Sequence, residues 1–169
     1  MKRLFYILSS IVLAIIVVAC IDDNTTDIED VVRIGDTLPT FTVTTSNGVT
    51  VSSEQLSCGI SLVMFFHTGC PDCRATLPGV QQLYEEYGSD VQFLLISRED
   101  ARASVAEYWS QNNLTMPYSA QNDRRIYELF ARKRVPRIYI NQNGVIRSIF
   151  TDNPTPDYQK LKEALTALI

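Results

Sequence analysis

The sequence predicts an α/β domain in which a central mixed sheet is flanked by helices. The first observation behind this prediction is Ile60–Phe66, a near-continuous apolar run typical of a strand that is covered on both faces. The second is the alternation of other strand-like segments with segments of helical periodicity. The third is Asn47-Gly48, a turn between β-branched residues that indicates a hairpin ahead of the central strand.

Residues 1–19 are predicted to form a signal peptide that precedes the folded domain. The basic start Met1-Lys2-Arg3 is followed by the apolar segment Leu4–Val18, which is short for a membrane span. Val17-Val18-Ala19-Cys20 resembles a bacterial lipobox, in which the cysteine is lipidated and becomes the mature N-terminus. An uncleaved N-terminal anchor is the alternative. Either interpretation places the domain outside the cytoplasm and ties it to a membrane.

An acidic flexible tether is predicted over residues 20–32, and a single domain over residues 33–169. The chain has 15 basic and 19 acidic residues, and loss of the signal peptide removes only Lys2 and Arg3. The mature protein then has a formal charge of −6, which argues against nucleic acid as a partner. Acids directly after Cys20, at Asp22-Asp23, leave exposure at the cell surface open.

The first half of the domain is expected to contain a hairpin, a helical turn, the central strand, a long helix and a second strand. β-Branched residues at 41–45 and 49–51 form the hairpin, and Ser52-Ser53-Glu54 is expected to cap the short turn. The long helix runs to about Tyr87 and should be kinked by Pro78, which lacks one backbone donor. Its predicted buried side consists of Leu77, Val80, Leu83, Tyr84 and Tyr87.

The second half is expected to alternate helices with short strands. The predicted elements are strand Val91–Ser97, helix Ala101–Asn112, extended Met116–Ser119, helix Arg124–Lys133, and a hairpin of Arg137–Ile140 with Val145–Phe150. Trp109 is expected to be a core residue rather than a cofactor contact. In the helix from Arg124, the residues predicted to face inward are Ile126, Leu129 and Phe130. A last helix should begin with Thr155 as cap and Pro156 in its first turn.

Cys70-Pro71-Asp72-Cys73 follows the central strand and is expected to begin the long helix. Because Pro71 suits the first helical turn, Cys70 should lie just before the helix, at the positive end of its dipole. That position favours the thiolate and makes Cys70 the better nucleophile, while Cys73 can close or resolve a disulfide. A purely structural disulfide is the alternative, but so short a loop restricts the unfolded chain little.

The segment FFHTGCPDCRATLP resembles the active-site segment of the thioredoxin-like family, specifically the TlpA/ResA branch of envelope thiol-disulfide oxidoreductases. The residues that match the pattern F-W-A-T-W-C-x-x-C-R-x-E-L-P are Phe65, Thr68, Cys70, Cys73, Arg74, Leu77 and Pro78. Similar stretches at 34–49, Val135-Pro136 and Asn143-Gly144 extend the resemblance over about residues 33–169. It implies a thioredoxin-like fold with an N-terminal β-hairpin and a central helical insertion.

The resemblance also implies the roles of individual residues. Cys70 would attack and Cys73 would resolve, so that the pair forms a redox-active disulfide and no further cofactor is needed. Val135-Pro136 would be a cis bond that faces the dithiol, and the backbone of Val135 would pair with an extended substrate chain. The implied partners are protein disulfides or dithiols, together with a membrane electron donor.

The sequence departs from this family where the family uses a buried acid to move the proton of the resolving thiol. The two known positions for the acid align with Met64 and Thr76, and neither side chain can act as a base. Proton transfer is therefore expected to run through water, His67 or Asp72. A protonated His67 would favour the Cys70 thiolate, whereas the charge of Asp72 opposes it. The alternative for His67 is a partly exposed residue that tunes nothing.

Basic residues bracket Val135-Pro136, with Arg132-Lys133-Arg134 before it and Arg137 after it. They could simply be the solvated end of the preceding helix. If Pro136 faces Cys70, however, Arg134 and Arg137 would form a basic rim that favours the thiolate and steers acidic partners.

Two further observations concern thiols and metals. Cys58 is expected to be a free, partly buried thiol, with a third redox thiol or an intermolecular cross-link as the alternative. A zinc site is not expected, because Cys70 and Cys73 have no second Cys/His pair and His67 is the only histidine.

The sequence thus predicts a membrane-tethered thiol-disulfide oxidoreductase of the bacterial envelope, facing the periplasm, that reduces disulfides of envelope proteins. A peroxiredoxin-like thiol peroxidase is one alternative. Val63 and His67, however, stand where its P-x-x-x-T-x-x-C pattern requires Pro and Thr. The other alternative is a non-enzymatic lipoprotein that binds a metal or a protein, against which the intact dithiol argues.

Overall fold

The computed structural model of the chain describes residues 30–169. The predicted signal peptide (1–19), Cys20 and the tether up to residue 29 lie outside the described residues. Within residues 30–169, no helix has the length and apolar character needed to cross a membrane.

The domain is built on a five-stranded mixed sheet in the order β5-β4-β3-β6-β7. Its strands are β3 (Ile60–Phe66), β4 (Val91–Ser97), β5 (Tyr118–Ser119), β6 (Arg137–Gln142) and β7 (Val145–Phe150). The pairs β3–β4 and β4–β5 are parallel, whereas β3–β6 and β6–β7 are antiparallel. The predicted mixed sheet is confirmed, with the apolar run as its middle strand.

A separate two-stranded hairpin, β1 (Thr42–Thr44) and β2 (Thr50–Ser52), precedes the sheet as predicted. The helices are α1 (Ser53–Leu56), α2 (Pro71–Tyr87), α3 (Arg102–Gln111) and α4 (Tyr158–Thr166). Ser52 caps α1 through a reciprocal capping box with Gln55, as the sequence indicated. Helix α2 continues through Pro78 and buries Leu77, Val80 and Leu83.

The two phenylalanines that end β3 lie on opposite faces of the sheet, because successive side chains of a strand alternate. The ring of Phe65 lies 4.8 Å from that of Phe130, and the ring of Phe66 lies 5.0 Å from that of Trp109, between centroids. Trp109 is buried, and its Nε1–H donates to the carbonyl of Met116 at 3.0 Å. The prediction that Trp109 is a core residue is confirmed.

The helix predicted over Arg124–Lys133 is wrong, because this stretch contains only a 3₁₀ turn at Tyr127–Leu129. Leu129, predicted to face inward, is 38% exposed, and Tyr127 is buried instead. The helical spacing of its apolar residues led to the wrong prediction. A 3₁₀ turn has fewer residues per turn than an α-helix, so different side chains face inward.

The physical reason for the missing helix lies in the partners of its backbone. The N–H groups of Leu129 and Phe130 donate three residues back, to the carbonyls of Ile126 at 3.2 Å and Tyr127 at 2.9 Å, and Ala131 then pairs with Asp30 in an antiparallel bridge. Arg134 has φ 67°, in the left-handed region that a helix cannot include. The chain therefore leaves the helical path before it reaches Val135.

The last helix begins later than predicted. Asp157 is its N-cap and accepts the backbone N–H of Lys160 at 2.9 Å. Thr155 is therefore not the cap, and Pro156 precedes the helix rather than opening it. The hydroxyl of Thr155 instead donates to the carbonyl of Asp152 at 3.3 Å.

The three described residues of the predicted tether pack against the domain. Asp30 forms an isolated antiparallel bridge with Ala131, and Val32 is buried. The boundary predicted at residue 33 therefore falls too late, because residues 30–32 supply backbone donors and an apolar side chain to the fold.

Candidate active site

Cys70 lies between the end of β3 and the start of α2, in the position that the sequence predicts. It is the N-cap of α2, with extended backbone angles, and Pro71 occupies the first helical turn. Its side chain is half-buried, and its Sγ–H donates to the carbonyl of Val135 at 3.3 Å. The thiol thus lies over unpaired N–H groups of the helix and against the loop that precedes β6.

Cys73 is fully buried, with 0% of its surface exposed. Burial raises the pKa of its thiol well above the usual range, and the charges of Cys70 and Asp72 act in the same direction. The backbone N–H of His67 donates to this thiol and opposes the shift. A solvent-accessible thiol beside a buried one is the arrangement expected for an attacking and a resolving cysteine.

The carbonyl of Val135 lies 3.3 Å from Sγ of Cys70, and Pro136 follows Val135 in the chain. The Val135–Pro136 bond is cis, and both residues are buried. The Val135 carbonyl is therefore a backbone acceptor within hydrogen-bond distance of the Cys70 thiol.

A surface cleft of about 370 Å³ surrounds Cys70 and brings several predicted residues together. Its walls include His67, Asp72, Arg134 and Val135. Arg134 is exposed, and its guanidinium lies 3.6 Å from the carboxylate of Asp152, which also lines the cleft. The prediction that Arg134 borders the active site is therefore consistent with its position.

The prediction that Arg137 belongs to the same basic rim is wrong. Arg137 is only 1% exposed, and its guanidinium forms an ion pair with Asp30. It also donates to the carbonyl of Lys133 at 3.0 Å. Its side chain is enclosed because β6 is an interior strand of the sheet, and the first five residues of β6 are all buried.

Asp100 is a buried carboxylate at the site that the sequence analysis missed. It is 5% exposed and accepts the backbone N–H and the hydroxyl of Thr68, both at 3.0 Å. A signal was available, because Asp100 lies three residues after the end of β4, and β4 is the parallel neighbour of β3. The carboxyl ends of parallel strands meet at one edge of a sheet, so Asp100 had to lie near residues 67–70.

His67 is oriented by contacts at both ring nitrogens. Its Nδ1 accepts the backbone N–H of Gly69 at 2.9 Å, and its Nε2 lies 3.3 Å from a carboxylate oxygen of Asp100. These two contacts fix the orientation of the ring beside Cys70. A Cβ atom at position 69 would lie 3.1 Å from two ring atoms of His67, which favours glycine here over the family's aromatic residue.

The two positions where the family carries its buried acid hold residues that cannot exchange a proton. Met64 is buried in β3, and the hydroxyl of buried Thr76 donates to the Asp72 carbonyl at 2.9 Å, so neither acts as a base. Asp72 is exposed, and its carboxylate accepts from Thr155 at 3.3 Å. Asp72 and the ring of His67 thus line the cleft beside Cys70, together with Asp152, Arg98 and Arg134.

Cys58 lies at the opposite end of β3 from Cys70. It is exposed, so the prediction of a partly buried thiol is wrong, and its thiol faces the carbonyl of Glu54 at 3.6 Å. Within residues 30–169, no group of three or more His, Cys, Asp or Glu side chains is arranged to hold a metal ion.

Residues 34–151 match the model of the AhpC/TSA family. The chain is 31% identical over 158 residues to the thiol-disulfide oxidoreductase ResA of Oceanobacillus iheyensis, with 88% of this chain and 82% of the relative covered. It is 23% identical to the ResA of Halalkalibacterium halodurans, with 73% and 71% covered.

Solved structures show the same fold. A thio-disulfide isomerase from Thermus thermophilus superposes with a TM-score of 0.66 at 26% identity, with 81% of this chain and 97% of that chain covered. A thiol:disulfide interchange protein of the thioredoxin family from Chlorobium tepidum gives a TM-score of 0.67 at 19% identity, with 81% and 97% covered.

Proposed function

Because the chain belongs to the AhpC/TSA family and is a thiol-disulfide oxidoreductase of the TlpA/ResA type, we propose that it reduces disulfides of envelope proteins through Cys70 and Cys73. The observation that carries this proposal is the pairing of an accessible thiol, at a helix N-terminus and against the Val135 carbonyl, with a buried one. The dithiol itself is the redox group of this reaction.

The first step is attack by the Cys70 thiolate on one sulfur of a substrate disulfide. The substrate S–S bond breaks, a Cys70–substrate disulfide forms, and the released substrate thiolate takes up a proton. The helix N-terminus favours the attacking anion. The backbone of Val135 would hold the substrate chain beside Cys70 by a strand-like hydrogen bond, which is supported by the contact of its carbonyl with the Cys70 thiol.

In the second step, Cys73 loses its proton and attacks Cys70 Sγ. The substrate leaves as a second thiolate, a Cys70–Cys73 disulfide forms, and two electrons have passed to the substrate. The raised pKa of Cys73 opposes this step in the reduced protein, because burial and a charged Cys70 disfavour its thiolate. In the mixed disulfide Cys70 carries no charge, so one cause of that shift is removed. A membrane electron donor would then reduce the Cys70–Cys73 disulfide again.

The proposed function also includes attachment to the membrane through a lipid anchor at Cys20. It is supported by the basic and apolar residues 1–18 and by the lipobox-like Val17–Cys20, and the acidic segment that follows would hold the domain away from the membrane. Loss of the chain from the membrane fraction in a Cys20→Ala variant is the expected result. Retention of that variant would contradict the anchor.

The proposed activity is tested by comparing two rates, that of protein-disulfide reduction and that of peroxide consumption. The full chain in detergent should catalyse reduction of insulin disulfides by dithiothreitol, and it should not consume hydrogen peroxide faster than the buffer. The physical reason is that Val63 and His67 replace the residues that the peroxidase pattern requires around its cysteine. Rapid peroxide consumption without disulfide reduction would replace this proposal with a thiol peroxidase.

A further inference from the structure

We propose that Asp30 is a positioning residue of the active site, which acts through Arg137 on the loop that holds Cys70. The loop comprises residues 133–136 and ends at Pro136, directly before Arg137. The inference rests on the proposed function in one respect, namely that the Val135 backbone meets Cys70 and its substrate. It makes the end of the predicted tether part of the active site.

Arg137 is the first link between Asp30 and the loop. Its guanidinium is buried, and burial of a charge is costly unless the charge is paired and hydrogen-bonded. Asp30 supplies the ion pair, while Nη2 and Nε of Arg137 donate to the carbonyl of Lys133 at 3.0 and 3.3 Å. One side chain thus joins the carboxylate of residue 30 to the first residue of the loop.

The loop depends on such contacts, because its backbone conformation is unfavourable. Arg134 has φ 67°, a conformation that non-glycine residues keep only where the surroundings hold it. The hydroxyl of Tyr127 donates to the Arg134 carbonyl at 2.6 Å. The next carbonyl, that of Val135, accepts from the Cys70 thiol. Consecutive carbonyls of the loop are therefore fixed by Arg137, by Tyr127 and by the nucleophile itself.

Asp30 is held in register by its own backbone neighbours. Asp30 bridges to Ala131, and the N–H groups of Val31 and Val32 donate to the carbonyl of Phe130. These contacts place the segment 30–32 against the residues that lead into the loop. The carboxylate of Asp30 thereby faces Arg137 from a fixed position rather than from a mobile chain end.

An Asp30→Asn variant removes the negative charge of Asp30 and keeps the size and shape of its side chain. Arg137 remains charged at any pH used, so its buried guanidinium would face a neutral amide and draw on other acceptors. We expect the loop to shift and the Val135 carbonyl to release Cys70. Because Sγ of Cys70 is now held against that carbonyl, its release should make the sulfur more accessible, so that Cys70 is alkylated faster while protein substrates are turned over more slowly.

The experiment compares Asp30→Asn, Asp30→Glu and Asp36→Asn in the full chain in detergent, after each has been shown to fold. Asp36 is the matched control, since its carboxylate accepts only a local backbone N–H from Arg33 among the contacts of its side chain that the structure shows. We expect Asp30→Asn to lower kcat/KM for insulin by about tenfold, a cost typical of misplaced binding groups. Its Cys70 should react several-fold faster with iodoacetamide, by about the factor that loss of one weak hydrogen bond gives. Asp30→Glu should recover both values in part.

A double-variant comparison separates positioning from general weakening. If Asp30 acts through Arg137, then Asp30→Asn and Arg137→Lys should together change the alkylation rate less than the product of their separate factors. Multiplicative factors, or an Asp30→Asn protein indistinguishable from Asp36→Asn, would overturn the inference. If the wild-type chain failed to reduce insulin, the proposed function would fall, whereas the alkylation rates would still decide the role of Asp30.

Discussion

A Cys70→Ser variant is expected to lose protein-disulfide reduction down to the uncatalysed rate. Cys70 is the half-buried thiol of the pair and the one at the helix N-terminus, and a serine hydroxyl at the same place cannot attack a disulfide. The rate of insulin reduction by dithiothreitol, with and without the full chain, measures this loss.

Cys73→Ser should behave differently, because it removes the resolving thiol and leaves the attacking one. Mixed disulfides between Cys70 and substrate proteins should then accumulate and be visible on non-reducing gels. Cys58→Ser is the matched control, since that thiol is exposed at the far end of β3 and should leave turnover unchanged. Mixed disulfides that persist in Cys70→Ser but not in Cys73→Ser would mean that the two roles are reversed.

An Asp100→Ala variant is expected to lower the free energy of unfolding by about 3 kcal/mol. Asp100 is buried and accepts two hydrogen bonds from Thr68 as well as the contact with His67. Removing the carboxylate leaves buried donors without an acceptor, at a cost of about 1–3 kcal/mol for each such group. Urea unfolding of the reduced full chain measures the change.

Glu99→Ala is the control for Asp100→Ala, because Glu99 is the adjacent carboxylate but is exposed, and its ion pair is with the half-buried Arg98. It should change the free energy of unfolding by less than about 0.5 kcal/mol, as surface substitutions generally do. Equal effects of the two variants would show that the contacts of Asp100 with residues 67–68 do not hold the loop before Cys70.

The dithiol and its immediate surroundings could be predicted from sequence because the interactions that place them are local. The apolar run Ile60–Phe66 is a strand with the predicted bounds, and Cys70 lies before Pro71 at the start of the helix. Pro71 and the end of the apolar run specify this arrangement within a dozen residues. The exposure of Cys58, which was predicted to be partly buried, did not follow from its local sequence.

The features that the sequence analysis missed depend on contacts between distant parts of the chain. The helix predicted over Arg124–Lys133 is wrong because Ala131 pairs with Asp30 in an antiparallel bridge, about 100 residues earlier in the chain. Arg137 was placed on the rim by its proximity in sequence to Pro136, whereas its burial depends on Asp30. Such long-range partners leave no mark in the periodicity of the segment itself.

The reduction potential of the Cys70–Cys73 pair in the full chain tests the central claim most directly. The protein would be equilibrated in thiol redox buffers, and its alkylated cysteines would be counted by mass. A reductase of envelope disulfides should have a potential near that of thioredoxin, about −270 mV. A value near about −120 mV would identify an oxidant that donates its disulfide to other proteins, and it would contradict the proposed direction of the reaction.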